Sequence, residues 1–166
     1  MLSDQQLQFA IDDARQRHAA LTELIYFTDS QAMALLRLYS TVGIAMASAS
    51  AALFAADPPV STALAWALAS ATVVLVIGAV FCWLAMQTLQ VSLPGRGAEF
   101  WLWAMDARVT AASAFTKYLE NLEKESVWNR EVNDTTSQHL MAAKIAGVLA
   151  PAFAFGAGLL AAQYGG

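Results

Sequence analysis

Residues 62–89 read TALAWALASATVVLVIGAVFCWLAMQTL, a run that contains no Asp, Glu, Lys or Arg. The run belongs to one of three uncharged stretches, which cover positions 38–56, 58–95 and 145–166. A bilayer core about 30 Å thick requires roughly 20 apolar helical residues for one crossing. The sequence therefore predicts three transmembrane helices, at 38–56, 62–89 and 145–163.

The basic residues lie on one side of these spans. All 9 Lys and Arg fall at positions 1–37 or 96–144. Loops rich in Lys and Arg stay in the cytoplasm, so we expect both segments inside and the C-terminus outside. The first span is the most polar because it contains Ser40, Thr41, Ser48 and Ser50. A soluble helix is the alternative interpretation of that span.

An apolar stripe with steps of three and four residues runs along positions 7–53 without a proline. This spacing predicts one helix of about 50 residues, and Ser3 with Gln6 has the spacing of a capping box at its start. A break at Asp29 and Ser30, which both favour N-cap geometry, is the alternative. The stripe is expected to pack against the chain's own central helix or against a second copy.

The region between the second and third spans predicts further helices. Pro94 and Gly95 indicate a turn, a helix follows at 98–128, residues 129–134 indicate a break, and a last helix enters the third span. We therefore expect an all-α, oligomeric integral membrane protein with three transmembrane helices and a cytoplasmic helical bundle. Its predicted regions are a cytoplasmic amphipathic helix (1–37), a transmembrane hairpin (38–93), a cytoplasmic helical region (94–144) and a third transmembrane helix (145–166).

No residue pattern typical of catalysis occurs. His18 and His139 have no further metal ligand at a characteristic spacing, and neither a phosphate-binding loop nor a dinucleotide-binding loop is present. We expect no enzymatic activity, no catalytic residue, no metal and no cofactor.

Basic side chains on the cytoplasmic helices instead predict a site for a phosphate-bearing ligand, through charge-assisted hydrogen bonds. The predicted ligand-binding residues are Arg15, Arg17, His18, Arg108 and Lys117. The alternative is that these are cytoplasmic charges paired with acidic neighbours, namely Asp12, Asp13 and Asp106.

The spans contain no Asp, Glu, Lys, Arg or His, which argues against a proton relay at membrane depth. The predicted pore-lining residues are Ser48, Gln87 and Gln90.

Small residues recur at 150, 154, 158 and 162, a spacing that lets helices approach closely in lipid. Three helices enclose little lumen, so conduction requires several copies. A non-conducting membrane scaffold or accessory subunit and a holin-like lysis protein are the alternative functions.

Two segments carry a family resemblance: DSQA at 29–32 followed by LRLY at 36–39, and NDTTSQHL at 133–140 before the last apolar helix. With the order of the helices, they resemble the small membrane effectors of nucleotide-signalled bacterial anti-phage defence, the SLATT and Pycsar transmembrane type. The resemblance implies an oligomeric pore or membrane-disrupting effector in the bacterial inner membrane. It also implies a nucleotide or short oligonucleotide ligand, made by a partner nucleotidyltransferase, that acts on the cytoplasmic helices.

Overall fold

The computed structural model describes residues 4–56, 61–87, 91–92 and 96–164. Within these ranges the chain forms no strand and four helices, α1 (Asp4–Ala55), α2 (Thr62–Met86), α3 (Ala98–Ala104) and α4 (Ala111–Tyr164). The predicted all-α class is confirmed. Helices α1, α2 and α4 each contain a stretch long and apolar enough to cross a membrane, which confirms three candidate spans.

Helix α1 is continuous through Asp29 and Ser30, so the predicted single long helix is confirmed and the alternative break does not occur. The apolar stripe is the buried face of this helix, since Ile25, Ala32 and Tyr39 are at most 6% exposed. The stripe therefore packs within the chain. Ser3, the predicted cap, lies outside the described residues.

The predicted helix at 98–128 and the predicted break at 129–134 are both wrong. The helical path is interrupted at 105–110, and α4 then runs unbroken through residues 129–134. Helix propensity alone does not explain these two differences, because side-chain hydrogen bonds decide them. Side chains that bond to nearby backbone groups compete with the helix, as at 105–110, whereas side chains that bond elsewhere leave the helix intact, as at 129–134.

The interruption at 105–110 is stabilised by two local acceptors. The Asp106 carboxylate accepts hydrogen bonds from the Arg108 backbone N–H at 2.9 Å and from the Arg108 Nε at 3.0 Å. Thr110 caps the following helix, because its Oγ1 accepts from the Ser113 backbone N–H at 3.2 Å. The backbone N–H groups of Arg108 and Ser113 are therefore satisfied by side chains and do not require a continuous helix.

The helices form two compact units. One, called here the polar unit, comprises residues 1–27 and 88–134; the other, called the apolar unit, comprises residues 28–87 and 135–166. Helices α1 and α4 contribute to both, whereas α2 belongs to the apolar unit and α3 to the polar unit. The predicted region limits at residues 37, 93 and 144 concern membrane boundaries and stay predictions.

The apolar unit buries small side chains and exposes large apolar ones. Its buried positions are mainly alanine and glycine, together with a few larger residues such as Tyr39 and Leu75. Ile44 and Phe155, by contrast, are 68% and 70% exposed. This distribution is typical of helices in lipid, where the solvent is itself apolar and close backbone approach holds helices together.

Tyr39 on α1 occupies a gap that two glycines create. A Cβ atom added at Gly78 on α2 would lie 2.8 Å from the Tyr39 ring, and one added at Gly147 on α4 would overlap the Tyr39 hydroxyl. That hydroxyl donates a hydrogen bond to the Ala143 carbonyl oxygen at 2.9 Å. Glycine is therefore required at both positions for three helices to pack around one aromatic ring.

Candidate functional site

The polar unit contains a histidine with both ring nitrogens in hydrogen bonds. His18 on α1 is fully buried; its Nε2 lies 3.0 Å from the Ser92 carbonyl oxygen and its Nδ1 lies 3.1 Å from the Ser126 Oγ. Because a carbonyl oxygen only accepts, Nε2 carries a proton, and in the neutral ring Nδ1 accepts from the Ser126 hydroxyl. These bonds explain how a position in the apolar stripe holds a histidine.

Asn129 on α4 binds the same backbone position. Its Oδ1 accepts from the Ser92 N–H at 3.0 Å, and its Nδ2 donates to the Ser92 carbonyl oxygen at 2.9 Å. Both ends of the buried amide are thus used in tertiary bonds, so Asn129 does not compete with the helix's own backbone.

Arg96 is a nearly buried cation with incomplete pairing. Its side chain is 10% exposed, Nη1 donates to the Glu125 Oε1 at 2.5 Å, and Cζ lies 5.5 Å from the centroid of the Tyr118 ring. Within the described part of the chain, nothing accepts a hydrogen bond from the Arg96 Nε or Nη2. Buried donors without acceptors are costly, so this guanidinium is suited to an anionic ligand.

A cavity of about 490 Å³ lies beside Arg96. Helix α1 contributes Arg15 to its lining, α3 contributes Phe100 and Trp101, and α4 contributes Tyr118. The rest of the described lining is aliphatic or aromatic, so Arg15 and Arg96 are its charged groups. Small-molecule sites usually measure about 300–1,000 Å³. The cavity can therefore accept a small molecule with an apolar face and an anionic group.

The structure places one of the five predicted ligand-binding residues at this cavity, namely Arg15. Arg17 is exposed on α1, and His18 is engaged in the internal bonds described above. Arg108 pairs with Asp106 at 2.8 Å, as the alternative interpretation expected. Lys117 pairs with Glu120, a partner that was not predicted, at 3.5 Å. A ligand-binding role for these four stays a prediction.

Two of the three predicted pore-lining residues, Ser48 and Gln87, lie in the apolar unit. The Ser48 hydroxyl donates to the Ile44 carbonyl oxygen of its own helix at 2.8 Å. Gln87 is exposed at the C-terminal end of α2, and Gln90 lies outside the described residues. A hydroxyl bonded to its own helix is satisfied without water, so pore lining by these residues also stays a prediction.

Arg96 directly follows the turn predicted at Pro94 and Gly95, and it was not predicted as a site residue. The available signal was the dense aromatic run FWLW at 100–103, close behind a single arginine. The sequence cannot pair Arg96 with Tyr118 or Glu125, because residues so far apart in the chain meet only through tertiary packing. The cavity follows from that packing.

Comparisons with protein-family models, with curated proteins and with solved structures each gave no match for this chain.

Proposed function

We propose that this chain is an oligomeric channel or pore-forming effector of the bacterial inner membrane, gated through the polar unit. The observation that carries the proposal is the continuity of α1 and α4. Each helix contributes both to the unit that holds the cationic cavity and to a stretch long enough to cross a membrane. An unbroken helix is a rigid element that can couple ligand binding in one unit to helix packing in the other.

The distribution of charge sets the orientation in this proposal. Because all 9 Lys and Arg fall at positions 1–37 or 96–144, the polar unit faces the cytoplasm and the C-terminus faces the exterior. The cavity is then accessible to a cytoplasmic ligand. Cytoplasmic accessibility is what a signal made by a neighbouring enzyme requires.

Conduction in this proposal requires several copies. The apolar unit of one chain is packed around buried side chains, including Tyr39, Leu75 and Cys82. Small residues at Ala47 and Ala162 lie on exposed faces, where neighbouring copies can approach closely in lipid. A pathway for ions would form between copies.

The family resemblance supports the biological setting. In SLATT and Pycsar type defence, a partner nucleotidyltransferase supplies a nucleotide or short oligonucleotide that acts on a membrane effector. The cationic cavity of the polar unit supports the same order of events here: signal synthesis, binding to the polar unit, and altered membrane permeability.

Reconstitution tests the proposed function directly. Full-length protein is placed in liposomes that contain a potassium-sensitive dye and, in a second preparation, a large fluorescent dextran. We expect nucleotide-dependent potassium flux without dextran release, because a gated channel passes ions and excludes polymers. Permeability equal to that of protein-free liposomes under every nucleotide and salt condition would remove the proposal.

One observation favours a second candidate, a non-conducting accessory subunit. The hydroxyls of Thr41, Ser48 and Thr72 each donate to a carbonyl of their own helix, at 2.8–2.9 Å. Hydroxyls used in this way do not form a polar path for ions. This candidate predicts stable copurification with an unrelated membrane protein and no self-association in mild detergent.

A further inference from the structure

We infer that the cavity of the polar unit binds one small aromatic anion. Arg96 and Arg15 hold its anionic group, and Trp101, with Phe100 and Tyr118, holds its ring. The identification of this anion as a mononucleotide rests on the proposed function. The inference narrows that function, because it assigns the signal to a single nucleotide rather than to an oligonucleotide.

The first argument concerns Arg96, whose side chain is nearly buried. Its Nε and Nη2 atoms have no acceptor within the described part of the chain. Glu125, which accepts from Nη1, lines a neighbouring hollow and is not part of the cavity lining, whereas Tyr118 lines the cavity itself. Arg15 adds a second positive charge from α1. A phosphate group offers several acceptor oxygens, and guanidinium groups bind them in pairs.

The aromatic residues provide the second argument. The Phe100 ring centroid lies 5.2 Å from that of Trp101 and 6.0 Å from that of Tyr118, at interplanar angles of 85° and 61°. These edge contacts fix the three rings relative to one another. Trp101 nevertheless stays 49% exposed, so part of its surface is free for a planar ligand. Nucleobases stack on aromatic side chains whatever their identity.

The volume provides the third argument. About 490 Å³ lies in the lower half of the range typical of small-molecule sites. The described lining has one pair of cations and one group of rings, which matches one phosphate and one base. A second nucleotide would find no further cation in the described lining.

Calorimetric titration of the full-length protein in phosphatidylcholine nanodiscs tests the inference. The probes are the four ribonucleoside 5′-monophosphates, their parent nucleosides and inorganic phosphate. We expect at least one monophosphate to bind. Its nucleoside and inorganic phosphate should each bind about tenfold or more weakly, because each lacks one of the two recognised groups.

The variants separate a ligand contact from a folding effect. Arg96→Gln alone would leave the Glu125 carboxylate without its partner, so the test variant is the double substitution Arg96→Gln with Glu125→Gln. It should lose about tenfold or more in monophosphate affinity. Glu125→Gln alone should retain binding or strengthen it. Arg130→Gln is the matched control, because Arg130 is exposed on α4 and is not part of the cavity lining.

Trp101→Leu keeps the inference testable if the double variant does not fold. It should weaken monophosphate binding while leaving the weak binding of inorganic phosphate unchanged. Nanodiscs that contain phosphatidylglycerol form a further arm: loss of monophosphate binding there would assign the anion site to a lipid headgroup and overturn the nucleotide.

The inference is overturned if no monophosphate binds, if the double variant binds as the wild type does, or if inorganic phosphate binds as tightly as the monophosphate. These outcomes are distinguishable from failure of the proposed function. Monophosphate binding that depends on Arg96, with no ion flux in liposomes, would remove the channel and leave the site. Ion flux without such binding would remove the site and leave the channel.

Discussion

The two units of this chain differ in the polar content of their described interiors. The polar unit buries His18, Ser126 and Asn129 and satisfies each of them with a hydrogen bond. The apolar unit buries mainly alanine and glycine and exposes residues such as Ile44 and Phe155. One continuous helix, α1, takes part in both arrangements.

Under the proposed function, this contrast follows from two solvents, water around the polar unit and lipid around the apolar unit. In water, burial of apolar area drives packing, and a buried polar group is tolerated when it is paired. In lipid, exposed Leu, Val and Phe cost nothing, and small residues allow the close contact that replaces the hydrophobic driving force. The following predictions test this explanation of the contrast, starting with the largest expected effect.

A matched pair of phenylalanines gives the strongest test. Phe9 in the polar unit is 73% exposed, and Phe155 in the apolar unit is 70% exposed. Phe155→Lys should lower the stability of membrane insertion by about 2.5–3.5 kcal/mol, because a lysine near the centre of a span is poorly solvated. Phe9→Lys should be tolerated. Carbonate-resistant protein in the membrane fraction measures both, and equal recovery of the two variants would contradict the contrast.

Asn129 tests the polar interior. Asn129→Ala removes both bonds to the Ser92 backbone and leaves the partly buried Ser92 N–H without this acceptor, so the free energy of unfolding should fall by about 1–3 kcal/mol. Thermal unfolding in mild detergent measures the loss. Asn121→Ala, on the same helix and only half-buried, is the control and should change stability by less than about 0.5 kcal/mol. Equal effects of the two substitutions would show that the Ser92 contacts are not important.

Gly147 tests the apolar interior. The Cβ atom of Gly147→Ala would lie 2.9 Å from the Tyr39 Cζ and closer still to its hydroxyl, so the Tyr39 bond to Ala143 must break or shift. Overpacking of this kind costs about 1–3 kcal/mol. The control is Gly156→Ala, whose Cβ meets no atom within 4 Å and should raise stability slightly through helix propensity. Thermal stability in nanodiscs should separate them, and an unchanged Gly147→Ala variant would rule out this packing.

Among these substitutions, Arg108→Gln should have the smallest effect on the stability of the protein. Hydrogen bonds from the Arg108 side chain, and then from its backbone N–H, hold the pKa of Asp106 below its usual value. A carboxyl whose pKa is lowered in the folded state stabilises the fold above its ordinary pKa and loses that contribution as the pH falls through the folded pKa. The variant should therefore shift the Asp106 titration to higher pH. Carbon-13 NMR of the side-chain carboxyl measures this shift, and identical titration curves would contradict the pairing.

The features that could be predicted are those set by composition and spacing. Three apolar stretches of membrane length predicted three candidate spans, and a stripe with helical spacing predicted both the length of α1 and its buried face. Such patterns depend only on neighbours along one element.

The features that could not be predicted depend on contacts between distant residues. Residues 129–134 suggested a break, with Asn133 or Asp134 as the cap of the following helix, but the Asn129 amide bonds to Ser92 and α4 continues. The interruption that the structure does contain, at 105–110, depends on the side-chain acceptors of Asp106 and Thr110. In the sequence these residues are as apparent as the cap-forming residues at 129–134. The cavity could not be predicted for the same reason, because Arg96 contacts Tyr118 and Glu125 only after folding.

Site-directed cysteine labelling tests the two-solvent explanation most directly. Cys82 is the one cysteine of the chain, so Cys82→Ser provides a background for Phe9→Cys and Phe155→Cys in inside-out membrane vesicles. With a water-soluble, membrane-impermeant maleimide, the account predicts rapid labelling at position 9 and no labelling at position 155 until detergent is added. Labelling of position 155 in intact vesicles at the rate seen for position 9 would contradict it.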